Sequence, residues 1–287
     1  MHLSSEYNRR GMFPNVKRTV VLLSSFVILA FCISSFSGTV SVYNSPSSLS
    51  SPARLGKAYT ATAYYSTNWA GYAINASAGS VTQVKGSWTE PAVACPSTTT
   101  EYAAFWVGID GLKSGTVEQT GTAAECANGV ASYFAWYEFY PSGSVEITSI
   151  TVSPGNVFSA SEKYSSTTAR FSISIKDMTT GRSFSHSAAV PGAARSSAEW
   201  IAEAPAYCSS PTCLYPLANF GTASFGKDTT LVTGTNTATI SGSTKAIGKF
   251  PLSMVDSLNM VNIADTGYKA QPSALPKDGN QFLGCVG

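Results

Sequence analysis

The chain has 287 residues, of which 44% are hydrophobic and 12% are charged, so it can bury a sizeable core and is not intrinsically disordered. Six of its 18 Lys and Arg residues precede residue 63, but only one of its 16 acidic residues does. From residue 63 onward 12 basic residues stand against 15 acidic ones, a net charge of −3 with no basic stripe, which excludes nucleic acid as an expected partner.

The first segment, residues 1–37, has the pattern of a secretory signal peptide. Four basic residues precede an apolar run from Val20 to Phe36, and the small residues Ser35 and Ser37 mark a cleavage point. An uncleaved membrane anchor is the alternative, because the run is near the lower length limit for crossing a bilayer. In both cases we expect the rest of the chain to be exported.

Residues 38–62 are rich in Ser and Pro and show little apolar periodicity, which is typical of a linker or propeptide. They carry Arg54 and Lys57 and no carboxylate. We therefore expect either a passive linker or a basic segment that covers an acidic surface of the domain at neutral pH.

Residues 63–287 are predicted to form one all-β domain. Short segments rich in Val, Ile, Tyr, Phe and Trp are separated by Gly, Pro, Ser or Asn, and several alternate with period two. Phe171, Ile173 and Ile175, for example, share one face of a strand that ends at a turn over residues 178–181. No stretch keeps helical spacing over three turns. The pattern predicts a sandwich of two antiparallel sheets.

The cysteines after the leader fit an oxidising compartment. Cys208 and Cys213 are spaced for a tight loop, and Cys95 with Cys126 is the natural second pair, although the sequence leaves the connectivity open. Cys285 is then expected to be a free thiol.

Polar residues interrupt three aromatic-rich segments. The segments are YAAFWVGIDG followed by VEQTGT, YFAWYEFYP, and SSAEWIAEAP. As strands they place side chains on shared faces in three groups: Trp106, Gly108 and Asp110; Phe134, Trp136, Glu138 and Tyr140; Glu199, Ile201 and Glu203. A carboxylate in an apolar strand is costly unless it is paired or functional, the alternative being a glutamate at a solvated sheet edge.

Common hydrolytic sites are excluded by composition. His186 is the only histidine after the leader, so no multi-histidine zinc site can form, and no G-x-S-x-G elbow accompanies it. Asp265-Thr266-Gly267 occurs once, whereas aspartic-protease chemistry needs two carboxylates, so we interpret it as a turn. Any hydrolysis must therefore use carboxylates with amide or aromatic partners, without a metal or cofactor.

The motifs STNWAGYAI, GSWTEP, WVGIDG with EQTG, AWYEFYP, SAEWIAEAP and PLANFG occur in this order between Ser66 and Phe282. Together they resemble the glutamic peptidases, or eqolisins. The resemblance implies a concanavalin-like sandwich with a cleft on a curved sheet face and a catalytic pair of Gln119 and Glu199. It also implies that the cleft is lined by Asn68, Trp69, Trp106, Asp110, Trp136 and Glu138. Glu90 departs from the family pattern, where an apolar residue is more common, and is expected to alter the cleft edge.

The resemblance predicts a secreted, monomeric acid endopeptidase that acts on polypeptides. Glu199 would take a proton from an attacking water and return it to the leaving amine, while Gln119 would stabilise the oxyanion. Because the ordinary pKa of Glu is about 4.3, activity is expected to fall towards neutral pH. The alternatives are a sandwich that binds carbohydrate or peptide without catalysis, and a structural exported protein.

Overall fold

The computed structural model describes residues 61–96, 98–207, 213–226, 234–261, 269–275 and 281–286. The predicted signal segment, nearly all of residues 38–62, Cys208 and Asp265 lie outside these ranges. Within them the strands are β1 (Thr62–Ser66), β2 (Trp69–Asn75), β3 (Val81–Thr89), β4 (Glu101–Ile109), β5 (Val117–Ala127), β6 (Val130–Tyr140), β7 (Val145–Thr151), β8 (Val157–Ser165), β9 (Arg170–Asp177), β10 (Ser183–Ala188), β11 (Ser197–Glu203), β12 (Thr222–Gly226), β13 (Thr237–Ile240), β14 (Ser243–Ala246), β15 (Val255–Val261), β16 (Lys269–Pro272) and β17 (Gln281–Val286).

Helical structure in the described ranges consists of two single 3₁₀ turns, Ile247–Lys249 and Leu252–Met254. Neither approaches the length or apolar character that a membrane-crossing helix needs.

The first sheet contains the strands that carry the predicted site. Its order is β1-β15-β2-β11-β4-β5-β6-β7, and every neighbouring pair is antiparallel except β1 with β15. β11 joins the sheet between β2 and β4, although it follows β4 by about 90 residues in the chain.

The second sheet has the order β10-β9-β8-β3-β13-β14. It is linked to the first sheet along one side, because β12 pairs with β3 and β17, while β16 pairs with β17 and β15. The predicted sandwich of two sheets is therefore confirmed, with this connection between them as an addition.

The core lies between the two sheets, where β3, β8 and β9 pack over β4, β5 and β11. Trp88, Phe105, Phe158 and Trp200 are fully buried there, and the rings of Trp88 and Phe158 stack at 6.0 Å. Burying a side chain of this size contributes about 1.5–3 kcal/mol, so the inner faces supply most of the stabilisation. The alternation predicted for β9 is confirmed, because its buried and exposed residues alternate along its whole length.

A disulfide joins Cys95 to Cys126, with the two Cα atoms 5.1 Å apart, and confirms that predicted pair. Cys213 is also disulfide-bonded, but its predicted partner lies outside the described residues. The expectation of a free thiol at Cys285 is wrong, since Cys285 is disulfide-bonded as well. Sequence spacing could not reveal this, because the connectivity of cysteines cannot be deduced from spacing alone.

Candidate active site

Four residues of the predicted site region lie in one row across the first sheet. Glu199 of β11 is in register with Gly108 of β4, Gly108 with Gln119 of β5, and Gln119 with Glu138 of β6. Residues directly opposite one another on neighbouring strands project to the same face of a sheet. Glu199 and Gln119 therefore share a face, with two strand spacings, about 9–10 Å, between their Cα atoms.

Gly108 occupies the position between the two proposed catalytic side chains. A Cβ atom placed there would lie 3.0 Å from the carbonyl oxygen of Glu118 and from the ring of Trp106, and 3.1 Å from Cβ of Gln119. Any other residue at this position would press against these neighbours. Because glycine has no side chain, nothing from β4 projects between Glu199 and Gln119 on this face.

This face of the first sheet, which we call the outer face, points away from the second sheet and carries its own apolar cluster. Trp69, Leu112 and Val117 pack against that cluster and cover it. The rings of Trp69 and Trp106 meet edge to face at 4.9 Å. The outer-face cluster consists of Ala73, Ala104, Trp106, Ala123, Phe134, Trp136, Ile201 and Leu258.

Gln119 is held by its neighbour in the row. Its side-chain Nε2 donates a hydrogen bond of 2.7 Å to Oε2 of Glu138, while its Oε1 is buried without a hydrogen-bond partner. A carboxamide nitrogen carries two hydrogens, so one N–H remains for another acceptor. Burial raises the pKa of Glu138 to about 7, and the bond from Gln119 opposes that rise.

Glu199 is fully buried, and neither carboxyl oxygen has a hydrogen-bond partner of standard geometry in the described part of the chain. Burial raises its pKa well above the ordinary value, and the nearby charges of Asp110 and Glu118 raise it further, while the Ser197 hydroxyl acts in the opposite direction. In the closed site burial therefore favours the protonated form of the Glu199 carboxyl over the ionised form.

Glu203 lies four residues after Glu199 on β11. Its side chain contacts residues at or beside two other strands. Its Oε1 accepts a 3.0 Å hydrogen bond from Nδ2 of Asn68, and its Oε2 accepts one of 2.8 Å from Nε1 of Trp106. The side chain of Trp69 also lies beside this carboxyl and acts to lower its pKa. Burial raises the pKa of Glu203 to about 7, against the effect of these donors.

Asp110 does not lie in the row. It is fully buried at the end of β4 with a positive φ of 71°, and its carboxylate accepts hydrogen bonds from the backbone N–H groups of Arg195 and Ser196 at 2.6 and 2.8 Å. The Ser196 hydroxyl donates a third, at 3.1 Å. Its position does not support the predicted contact with substrate; it anchors the segment that leads into β11.

Glu90 also differs from expectation. It is buried beside Thr122, which accepts a 2.7 Å hydrogen bond from Nε1 of Trp88 and donates to Glu90 itself. Trp88 belongs to the core between the sheets, so Glu90 lies on the inner side and the expected effect on the cleft edge is wrong. Burial raises the pKa of Glu90 to about 8.

The structure thus brings together most of the predicted site and adds two residues to it. Gly108 and Glu203 were placed on the correct faces by strand alternation but were given no role. The signal available for Glu203 was its spacing of four from Glu199, which puts both on one side of a strand. The predicted residues on or beside the outer face are Asn68, Trp69, Trp106, Gln119, Trp136, Glu138 and Glu199.

The comparisons with known proteins agree with this geometry. A model described as the Peptidase A4 family matches residues 67–249. The chain belongs to the peptidase A4 family. It is 33% identical to aspergillopepsin-2 of Aspergillus niger over 183 residues, which cover 56% of this chain and 63% of that protein. The chain therefore spans less than two thirds of this relative's length.

Solved structures of glutamic peptidases share the fold. Scytalido-glutamic peptidase with a transition state analog inhibitor superposes with a TM-score of 0.60 at 22% identity, over 77% of this chain and 98% of that one. Aspergilloglutamic peptidase from Aspergillus niger gives 0.51 at 26% identity, over 65% and 99% of the two chains. The resemblance to glutamic peptidases found in the sequence is confirmed.

Proposed function

We propose that this A4-family chain is an acid endopeptidase in which Glu199 and Gln119 act on one water molecule and the scissile carbonyl. The observation that carries the proposal is the row in which the two side chains project from one face and are separated by the bare backbone of Gly108. A water molecule in that gap would lie within reach of both side chains.

The reaction follows from the two functional groups. Ionised Glu199 takes a proton from the water as its oxygen attacks the carbonyl carbon, and the carbonyl oxygen becomes an oxyanion. The free N–H of Gln119 donates to that oxyanion, an interaction worth about 2.7–4 kcal/mol in comparable sites. Glu199 then gives the proton to the leaving nitrogen as the C–N bond breaks, so the carboxylate is regenerated.

Proton loss from Glu199 is the step that the closed site makes costly, since burial raises its pKa. A water molecule admitted beside Gly108 would solvate the carboxylate and reduce that cost. Carboxyl groups elsewhere set the upper pH limit. Glu138 and Glu203 both have a pKa near 7, so towards neutral pH the site gains unfavourable negative charge.

The amide of Gln119 suits this pH range. A carboxamide neither gains nor loses a proton in acid, whereas a histidine in the same place would be fully protonated and could not act as a base. Activity is therefore expected to fall steeply as the pH approaches neutrality.

Polypeptides are the proposed substrates, and export is the proposed location. Two features support export: the basic and apolar pattern of residues 1–37, and the Cys95–Cys126 disulfide, which is typical of oxidising compartments. The domain limits proposed from the sequence, residues 63–287, contain the whole family match.

The test is digestion of a denatured protein at about pH 3–4 in the presence of pepstatin. We expect cleavage that pepstatin does not inhibit and that is lost in Glu199→Gln and in Gln119→Ala. Peptide binding without cleavage by the folded wild-type protein would contradict the proposal and favour a non-catalytic binding module.

A further inference from the structure

Glu203 is the most highly connected carboxylate on the outer face. Its two oxygens receive Asn68 Nδ2, Trp106 Nε1 and the side chain of Trp69, which come from the start of β2 and from β4. The partners lie on or beside β2 and β4, the two strands that flank β11. The single carboxyl group of Glu203 therefore links β11 to both of its neighbours.

The orientation of both indoles depends on this carboxylate. The Trp69 and Trp106 rings meet at an interplanar angle of 77°; Nε1 of Trp106 points to Glu203, and the Trp69 side chain lies beside the same carboxyl. Indole has a single N–H donor, so no second polar contact can fix either ring. Trp136, on the same face, provides the contrast: its Nε1 is buried and has no hydrogen-bond partner in the described chain.

A glutamine could not replace Glu203. Its carboxamide has only one accepting oxygen, and its NH₂ group would face one of the N–H donors. A buried donor left without an acceptor is expensive, whether or not the carboxyl is ionised. The arrangement therefore requires both carboxyl oxygens.

We propose that Glu203 is a positioning residue, which fixes Asn68, Trp69 and Trp106 as one rigid wall beside the catalytic row. This role rests on the proposed peptidase function. Glu203 lies four residues from Glu199 along β11, about 13 Å at the usual strand rise, so it does not touch the reacting atoms. It acts on substrate through the two indoles, whose faces would contact apolar side chains of a bound peptide.

The test separates substrate binding from chemistry. With a peptide substrate at about pH 4, Glu203→Gln should raise KM about 10-fold, the scale of a buried donor left without its acceptor, while kcat changes by less than about threefold. Lys176→Gln is the control, because Lys176 is exposed on β9 in the other sheet and should leave both constants unchanged. A fall in kcat at unchanged KM for Glu203→Gln would overturn the proposal.

A double-mutant cycle identifies the route of the effect. In a Trp106→Phe background the indole donor is already absent, so Glu203→Gln should raise KM by much less than in the wild type. Full additivity of the two changes would overturn the proposal. If Glu203→Gln does not fold, Trp106→Phe alone must still raise KM, and an unchanged KM would count against the wall.

A spectroscopic measurement keeps this proposal distinct from the peptidase proposal. The near-UV circular dichroism of the tryptophans should weaken in Glu203→Gln but not in Lys176→Gln, with the far-UV spectrum unchanged in both. If the wild-type protein cleaves no peptide, the peptidase proposal fails, but this comparison still decides whether Glu203 holds the indoles. Identical near-UV spectra for Glu203→Gln and the wild type would refute the positioning role.

Discussion

Replacing one carboxyl group that is buried between the sheets should reduce the loss of folding stability as the pH rises to neutrality. Glu118 of β5 and Glu162 of β8 are fully buried between the sheets, and none of their four carboxyl oxygens has a hydrogen-bond partner of standard geometry in the described chain. The strands that carry them pack against each other across the sandwich. The negative charge of Asp110 further raises the pKa of Glu118, and the charge of Glu118 further raises the pKa of Glu162.

The size of the effect follows from the pKa of Glu118, which burial and then the charge of Asp110 raise from 4.5 to about 8. Between these values the unfolded chain is ionised while the folded chain keeps its proton. The contribution to stability is therefore complete below pH 4.5 and is lost as the pH rises through the folded pKa. At about 1.4 kcal/mol per pH unit, the loss between pH 4.5 and about pH 7 is about 3 kcal/mol.

Glu118→Gln removes the titrating group at nearly constant shape. Between about pH 4 and pH 7 the free energy of unfolding of the variant should fall by about 3 kcal/mol less than that of the wild type. This difference is a large part of the total stability of a typical domain. Glu162→Gln should act in the same direction, because the pKa of Glu162 is raised well above its ordinary value by burial and then by Glu118.

The assay is urea unfolding at the two pH values, followed by tryptophan fluorescence, with the free energy of unfolding obtained by linear extrapolation. Ser174→Ala is the control, since Ser174 is exposed on β9 and carries no ionisable group, so this variant should keep the pH dependence of the wild type. Parallel free-energy curves for the wild type and both interior variants would refute the reasoning.

Substitutions at three further positions test the site and its support. Gly108→Ala should lower kcat at least about 100-fold in peptide hydrolysis, because its methyl group would enter the gap at 3.0–3.1 Å from its neighbours. Glu138→Ala should lower kcat about 10-fold by releasing the Gln119 carboxamide, and Glu138→Gln should recover part of the loss in the same assay. Asp110→Ala should lower the free energy of unfolding by about 2–4 kcal/mol in urea titrations, since two backbone N–H groups lose their acceptor.

Strand alternation was sufficient to predict the fold and the faces of the site. The alternating residues of β9 and the aromatic segments of β4, β6 and β11 each bury one face in the way that their spacing predicts. Gly108 and Glu199 could be assigned to a face in the same way. Their registration with each other could not, because it depends on β11 inserting between β2 and β4.

The sequence was least informative where a single residue leaves the regular pattern. By sequence spacing Asp110 continues the alternation of β4. In the structure the strand ends at this residue, which has a positive φ, and the Asp110 side chain points to the segment before β11. Glu90 follows β3, and only the packing of the two sheets shows that it faces Thr122. Glu203 was assigned to a face but given no role, because its partners come from distant parts of the chain.

Electron density at the gap beside Gly108 tests the central claim most directly. In a crystal of the wild-type protein grown at about pH 4, we predict one ordered water within about 2.6–3.2 Å of both the Glu199 carboxyl and the Gln119 carboxamide. Density with no water between them, or with the two groups turned to separate partners, would contradict the proposed mechanism.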